Sequence, residues 1–539
     1  MEKMTLIRGG TIVDGTGRPS FRGDVLIEGD RIVDVIPGAS QNSIIRSFDY
    51  SIIEASGLVV SPGFIDAHTH SDAYLVIEPD APSKITQGIT TELNGQCGGS
   101  VAPRYGEARL SSDWAAILGD RLTWHSLAEY REVLERAKPA VNTVQFIGHN
   151  TLRSSVVGYG ATASSPSQMK EMIRLLEQSL DEGGWGLTTG LIYQPGKYST
   201  PEEVVALAKV AAAKGGYYAT HMRSEGDRIL EAIDEVIELV KATGIKAEIS
   251  HLKTSGRRNW NKIDAVLEKI EGAMGEGLLL GSDRYPYCAA GTDLDIVLPD
   301  WAQEGAAPAE MKRLEDAGLR TRIIEEINAS DRDWSEVMIG GTWDSDNKPY
   351  SGRTIAELVG HDVLGAPRAA RRSAPTVTPG ELICQILERD GCKTGAFFFG
   401  MSEDNLKKIY SRPWIVPGSD ASLRAPWGPL GADHPHPRAY ATMPEFYRRV
   451  RELGFSREET VARMTSVVAD RFGIRGRGRI ETGAFADLVI WDEVEFKAKA
   501  TCTDPHQFTG GVRCVMVNGS IPYRDGAFTG DRGGRFLER

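Results

Sequence analysis

Tyr217-Tyr218-Ala219-Thr220-His221 reads as a short apolar strand closed by a polar residue, and a helix-length amphipathic stretch from about Asp227 to Thr243 follows it. Gly244 then leads into a second strand of the same kind, Ile245-Lys246-Ala247-Glu248-Ile249-Ser250-His251. The unit recurs on both sides. Upstream, Met169, Met172, Ile173, Leu176 and Leu180 fall at helical spacing after Ser165-Pro166, Gly183-Gly184 closes the helix, and Gly186–Gly190 forms the next strand. Thr200 is placed to cap a helix that starts with Pro201, Glu202 and Glu203 and ends at Gly215. Downstream, Ile263, Val266, Leu267 and Ile270 mark a helix before the strand Leu278-Leu279-Leu280-Gly281-Ser282-Asp283. Strand ends near Tyr193, His221, His251 and Asp283 therefore recur about one βα unit apart, which predicts a parallel sheet. Polar residues gather where these strands finish. An open doubly wound sheet has one switch-point crevice, whereas a (β/α)8 barrel collects functional groups around its whole C-terminal rim, so a TIM-like barrel is the expected architecture.

The expected last two barrel strands are Gly395–Phe399 and Trp414–Asp420, and the stretch from 289 to 391, too long for an ordinary βα loop, reads as an insertion over the rim. Both chain ends have a different rhythm. Short apolar runs punctuated by turn residues fill the first 60 residues, and similar strands recur at Ala486–Trp491 and Val512–Gly519. Two such pieces are marginal alone, so residues 1–60 and 480–539 are expected to form one small β-sandwich, with the barrel at 61–479 between them.

Composition narrows the function classes. The 539 residues are 41% hydrophobic and 25% charged, the balance of a globular protein with a large core. Lys plus Arg is 62 against 74 Asp plus Glu, a net charge of −12 with no basic stripe, which disfavours nucleic acid or an anionic membrane as partner. The first residues lack a signal-peptide pattern and no apolar run reaches a membrane span, so the expected compartment is the cytoplasm. Six cysteines without a CxxC pair form no disulfide framework.

The histidines carry the chemistry. His68-Thr69-His70 follows Leu58–Ala67, an apolar strand whose alternation points both imidazoles the same way. Alone, that pair reads as one surface and one core histidine. His221 and His251, each ending its own strand at the same mouth, support a metal site instead. Cys97, in Asn94-Gly95-Gln96-Cys97-Gly98-Gly99-Ser100, ends another β-like stretch and offers a soft thiolate. The other five cysteines read as buried small hydrophobes. Asp420 ends the last barrel strand, where a carboxylate either caps the next helix or moves protons beside a metal.

In these motifs the chain resembles the amidohydrolase superfamily: Pro62–His70, the strand-end histidines, and Gly478–Leu488. Within it, the sequence is similar to the N-acyl-D-amino-acid deacylases (D-aminoacylases). The shared stretches are Asn94–Gly98, Gly148–Arg153, Thr189–Tyr193, Ser250–Lys253, Gly418–Asp420 and His436–Arg438. The resemblance implies a barrel with a terminal β-sandwich, one zinc held tightly by Cys97, His221 and His251, and a weaker second site at His68 and His70. It makes Asp420 the general acid/base and places Tyr193, a tyrosine of Tyr285-Pro286-Tyr287, and Arg438 around a substrate carboxylate. No lysine ends a strand between His70 and His221, so the carboxylated lysine that bridges two metals in other amidohydrolases has no counterpart, whereas Cys97 stands in that region.

Lys253, two residues past His251, faces the rim as a substrate contact or a solvated lysine, and His149 is a substrate contact or a core histidine. Arg424 competes with Arg438, because the Asp420–Arg438 stretch is longer than in shorter family members. Asp293 and Asp295, at the start of the insertion, disfavour acidic substrate side chains if they face the pocket. His434 and His436 are expected in a loop, beside the site or facing solvent. His125, His361 and His506 are expected to be structural. The implied reaction is zinc-dependent hydrolysis of a small molecule, an N-acyl-D-amino acid, to a carboxylate and a free D-amino acid. Hydrolysis of D-peptides, dipeptides or cyclic amides on the same metal is the alternative.

Overall fold

The computed structural model describes residues 4–38, 50–110, 115, 117–359 and 377–539; His361 lies outside them. Eight parallel strands carry the site. They are β1 (Phe64–Asp66), β2 (Ile89–Asn94), β3 (Asn142–Gln145, continued by Ile147–Gly148), β4 (Gly186–Gly190), β5 (Tyr217–His221), β6 (Lys246–Ile249), β7 (Leu280–Arg284) and β8 (Ile415–Pro417). Hydrogen-bonded ladders join β1–β2–β3 and β3–β4–β5–β6–β7–β8, all parallel. The outer edges also meet, since Ala67 N–H donates to Pro417 O at 3.2 Å and Thr69 bridges Ala421 in parallel. This is a TIM-barrel-like α/β fold with every strand C-terminus on one side.

The connecting helices form for the local reasons the sequence gives. In Pro166–Asp181, Ser165 and Gln168 make a reciprocal capping box, Pro166 begins the helix, and Met172, Leu176 and Leu180 are buried, with Leu175 added to the stripe. Pro201–Ala213 starts on Thr200, whose hydroxyl accepts from Glu203 N–H. The helix expected from Asp227 begins at Ile229 and ends on left-handed Gly244.

One expected barrel strand is elsewhere. Gly395–Phe398 pairs antiparallel with Ala290–Asp293 and with Val337–Ile339 in a separate three-stranded sheet, while Ile415–Pro417 pairs directly with β7. An apolar run of strand length does not reveal its partner, so this run fits a barrel strand and an insertion strand equally well by pattern alone. The inserted region thus lies between β7 and β8, runs past residue 391 to include Phe398, and has its own apolar core of residues such as Leu294, Ile323, Ile339, Ile383 and Leu387.

Strands from both chain ends pair in one nine-stranded sheet, joined where Val59–Pro62 runs antiparallel to Leu488–Trp491. Its first hairpins are antiparallel, whereas Ser51–Glu54 and Val59–Pro62 pair parallel with Met4–Ile12 because the chain returns to the far edge of that strand in the same direction. Ile7, Ile27, Val60, Ile490 and Met516 share its core. Among the described residues no helix is long and apolar enough to cross a membrane.

Candidate metal centre

The eight strands end beneath a cavity of about 840 Å³, walled on one side by the inserted region. His68 and His70 stand just past β1, Cys97 three residues past β2, His221 at the end of β5, His251 two residues past β6, and Asp420 three past β8. Six residues far apart in sequence thus converge because parallel strands deliver all their C-termini to one rim.

Their donor atoms form two overlapping groups, Cys97 with His221 and His251, and Cys97 with His68, His70 and Asp420, each within 4.8 Å of one another. Cys97 Sγ is 3.3 Å from both His251 Nε2 and His68 Nε2. Arms of roughly 2.0–2.3 Å around a tetrahedral zinc leave ligand atoms about 3.3–3.7 Å apart, so the two spacings suit one ion in each group, with Cys97 shared. His221 is an independent sign: its ring is buried, yet neither nitrogen has a hydrogen-bond partner. A cysteine and two neutral imidazoles leave a fourth position open, the pattern of a catalytic zinc site. Burial alone would raise the Cys97 thiol, but His68 and His251 beside it hold it well below its ordinary value.

Residues with no role in the sequence reading hold the ligands. Glu225, in the loop after β5, is 2.9 Å from His251 Nδ1 and 3.5 Å from His221 Nε2. Burial would raise its carboxyl, and the two histidines with Lys253 pull it below the usual range instead. Asp283 accepts from the backbone N–H of His251 at 3.0 Å and lies 3.3 Å from His68 Nδ1, so one carboxylate fixes the His251 backbone and orients the His68 ring. Gly418 lets β8 approach them: a Cβ there would lie 2.5 Å from Asp283 Oδ1 and 2.6 Å from His68 Cβ. The strand-end position of Asp283 was visible in the sequence, but Glu225 had no signal beyond lying in the loop after β5.

Asp420 reaches both sides of the site. Its Oδ1 lies 3.0 Å from His70 Nε2, and its Oδ2 accepts from Arg438 Nη1 at 2.8 Å. Burial would raise this carboxyl, but Arg438 and His251 hold it well below the ordinary carboxylate range. Cys97, His251 and Asp420 all have positive φ, at 50°, 36° and 49°. Strain of this kind, about 1–3 kcal/mol per residue, persists only where surrounding contacts enforce it.

The expected substrate contacts divide. Tyr193, packed edge-on to His221 at 4.9 Å, and Arg438 line the cavity. Tyr285 is fully buried behind them, its ring between the guanidiniums of Arg284 and Arg438 at 3.9 and 4.6 Å. Tyr287 packs on His436 and donates to Ala441 O. Lys253 is buried with its ammonium on Glu225 and 2.8 Å from His251 Nδ1, so it braces His251 and is not solvated. His149 is buried with Nε2 2.9 Å from Glu203, which also takes Ser164 Oγ–H, and it does not line the cavity. Arg424 reaches the cavity but pairs with Asp433 at 3.1 Å, which leaves Arg438 beside the site. His436, expected on a loop, is buried in the cavity wall, and His434 also lines it. Asp293 and Asp295 do face the cavity, joined there by Glu310.

The amidohydrolase family model matches residues 51–523. A D-aminoacylase of Alcaligenes xylosoxydans xylosoxydans is 32% identical over 536 residues, covering 99% of this chain and 97% of that protein. A crystal structure of N-acyl-D-glutamate deacylase from Bordetella bronchiseptica, complexed with zinc and a phosphonate mimic of the tetrahedral intermediate, superposes with TM-score 0.80 at 29% identity over the full length of both chains. A D-aminoacylase structure with a binuclear metal centre, described as activated by one metal and attenuated by the second, matches with TM-score 0.80 at 30% identity over 99% of each chain.

Proposed function

The chain belongs to the amidohydrolase family, among the D-aminoacylases, and on that premise we propose that it hydrolyses the amide of N-acyl-D-amino acids to a carboxylate and a free D-amino acid, using zinc. The observation that carries this reading is the meeting of Cys97, His221 and His251 with Asp420 and Arg438 at one cavity floor.

Cys97, His221 and His251 would hold the tightly bound zinc, and His68 and His70, with Cys97 and Asp420, a weaker second ion. Bound zinc polarises the acyl carbonyl and makes water a competent nucleophile near neutral pH. Asp420 is the general acid/base: it accepts the proton of the attacking water and returns it to the departing nitrogen, completing the break between acyl carbon and amine. Arg438 keeps Asp420 ionised through one nitrogen of its planar fork, ready for that first proton transfer. The same guanidinium borders the cavity and pairs with the substrate α-carboxylate, and Tyr193 lines the same cavity. Fixing carboxylate and amide together leaves only the side chain and the hydrogen of the α-carbon to differ between the two hands, so the cavity wall that admits the side chain is the basis of D selectivity. Lys253 and Glu225 keep the His251 ring oriented.

The eight strands are read as a closed (β/α)8 barrel spanning residues 61–479. The paired chain ends, 1–60 and 480–539, are read as a small β-sandwich, supported by their common sheet. The cytoplasm is the proposed compartment, in keeping with six unpaired cysteines.

The test is a panel of N-acetyl amino acids in both hands, with dipeptides and hydantoins, on enzyme of known zinc content. Turnover of the D series is expected. Preference for the L series would overturn the reading, and turnover confined to dipeptides or hydantoins would move it to the alternative amide class.

A further inference from the structure

Lys84 is a fully buried cation beneath the catalytic rim, on the short helical turn Pro82–Ile85 between β1 and β2. Its ammonium lies 3.0 Å from each of four oxygens: Asp66 Oδ2 at the end of β1, Glu92 Oε1 on β2, Ser419 Oγ and Ala421 O. The last two flank Asp420. The Asp66 carboxylate completes the clasp, its other oxygen accepting from Ser419 N–H at 2.8 Å. Asp420 N–H in turn donates to His68 O at 2.8 Å.

An ammonium this deep needs compensating charge, and Asp66 and Glu92 supply it; Ser419 and Ala421 are not needed for neutrality. The Ala421 O contact, the tether to the Ser419 side chain and the Asp66 bond to Ser419 N–H instead hold the chain on either side of a residue whose φ is +49°, a conformation that a non-glycine residue leaves unless it is held. The carboxylate of Asp420 must lie within hydrogen-bond reach of the reacting water and nitrogen. The direction of its side chain is set by that backbone.

We propose that Lys84 is a positioning residue for catalysis: by clasping Ser419 and Ala421 it holds Asp420 in the left-handed conformation that aims its carboxylate into the site. Lys84 touches neither substrate nor zinc and acts only through Asp420, so the proposal rests on the acid/base reading of Asp420 given above.

The test uses zinc-loaded full-length enzyme and the variants Lys84→Met and Ser419→Ala, each alone and combined with Asp420→Asn, with kcat, KM, zinc per chain and Tm measured for all. Ser419→Ala removes one clasp contact without exposing a buried charge, so it keeps the test decisive if Lys84→Met does not fold. A misplacement of about 1 Å costs roughly 100-fold in rate, so kcat is expected to fall about 10-fold to 100-fold in each single variant, with KM and zinc content within twofold. In the Asp420→Asn background the same changes should cost less than threefold, because the group they position is gone. Unchanged kcat in Ser419→Ala overturns the proposal, as does an equal loss with and without Asp420 or a fall in kcat matched by lost zinc. Near-normal activity of Asp420→Asn alone would instead refute the acid/base reading.

Discussion

Asp420→Asn isolates proton transfer from metal binding. Asparagine keeps the size of the side chain and an oxygen for Arg438, which donates at 2.8 Å, but has no charge and cannot accept a proton from water. Positioned acid/base groups contribute about 10²–10⁴ in rate, or roughly 3–5 kcal/mol at about 1.4 kcal/mol per decade. The upper half of that range is expected here, because the carboxylate is largely buried and no other described acidic side chain shares its contacts with His70 and Arg438. The three proposed ligands Cys97, His221 and His251 stay in place, and Arg438 keeps Gly291 O and the Tyr285 ring as partners. The variant should therefore fold, hold about one zinc and bind substrate with KM within a few-fold, while kcat falls about 1,000-fold. The assay is release of free D-amino acid from an N-acetyl-D-amino acid, with zinc measured on the same sample. A kcat within tenfold of the parent would refute the acid/base role, and loss of zinc in step with activity would make Asp420 chiefly a ligand.

Four further outcomes follow from the geometry. Cys97→Ala removes the only atom common to both donor groups, so zinc per chain after dialysis should fall by more than half with activity lost in proportion; full zinc content would remove Cys97 from the ligand set. Gly418→Ala forces a methyl against Asp283 and His68, and overpacking of this kind costs about 1–3 kcal/mol; a lowered Tm with reduced kcat is expected, and parental values for both would contradict the close approach. Burial and mutual repulsion push Asp295 up, and burial pushes its neighbour Glu310 up to about 7. A carboxyl raised on folding stabilises fully below its unfolded pKa, near 4, and loses that contribution as pH rises through the folded value. Between pH 5 and 8 the Tm of Glu310→Gln should thus fall less than that of the parent, which thermal melts across that range would check. At pH 9, above the raised values of Asp295 (about 8) and Glu310 (about 7), the same acidic wall should make N-acetyl-D-glutamate at least about tenfold poorer than N-acetyl-D-leucine, a gap of about 1.4 kcal/mol, and equal turnover there would show that Asp293, Asp295 and Glu310 do not face the side chain.

The spacing of strands and helices from Ser165 to Asp283 determined the parallel α/β architecture, because amphipathic periods, caps and glycine stops are local properties of the chain. That His221, His251 and Cys97 meet was legible for a related reason: a strand end has a fixed sequence position, and a parallel sheet sends all strand ends to one face. What the sequence did not contain was which side chains meet after folding. Gly395–Phe398 looks like a barrel strand in isolation and becomes an antiparallel strand of the inserted unit only because Ala290–Asp293 and Val337–Ile339 lie beside it. Lys253 reads as a rim cation until Glu225 takes its charge, and Tyr285 as a substrate contact until Arg284 and Arg438 enclose it. Lys84 carried no motif at all. Its four oxygen partners come from residues 66, 92, 419 and 421, and such long-range burial of charge is decided by the closing of the first strand against the last, a contact that only the tertiary structure makes.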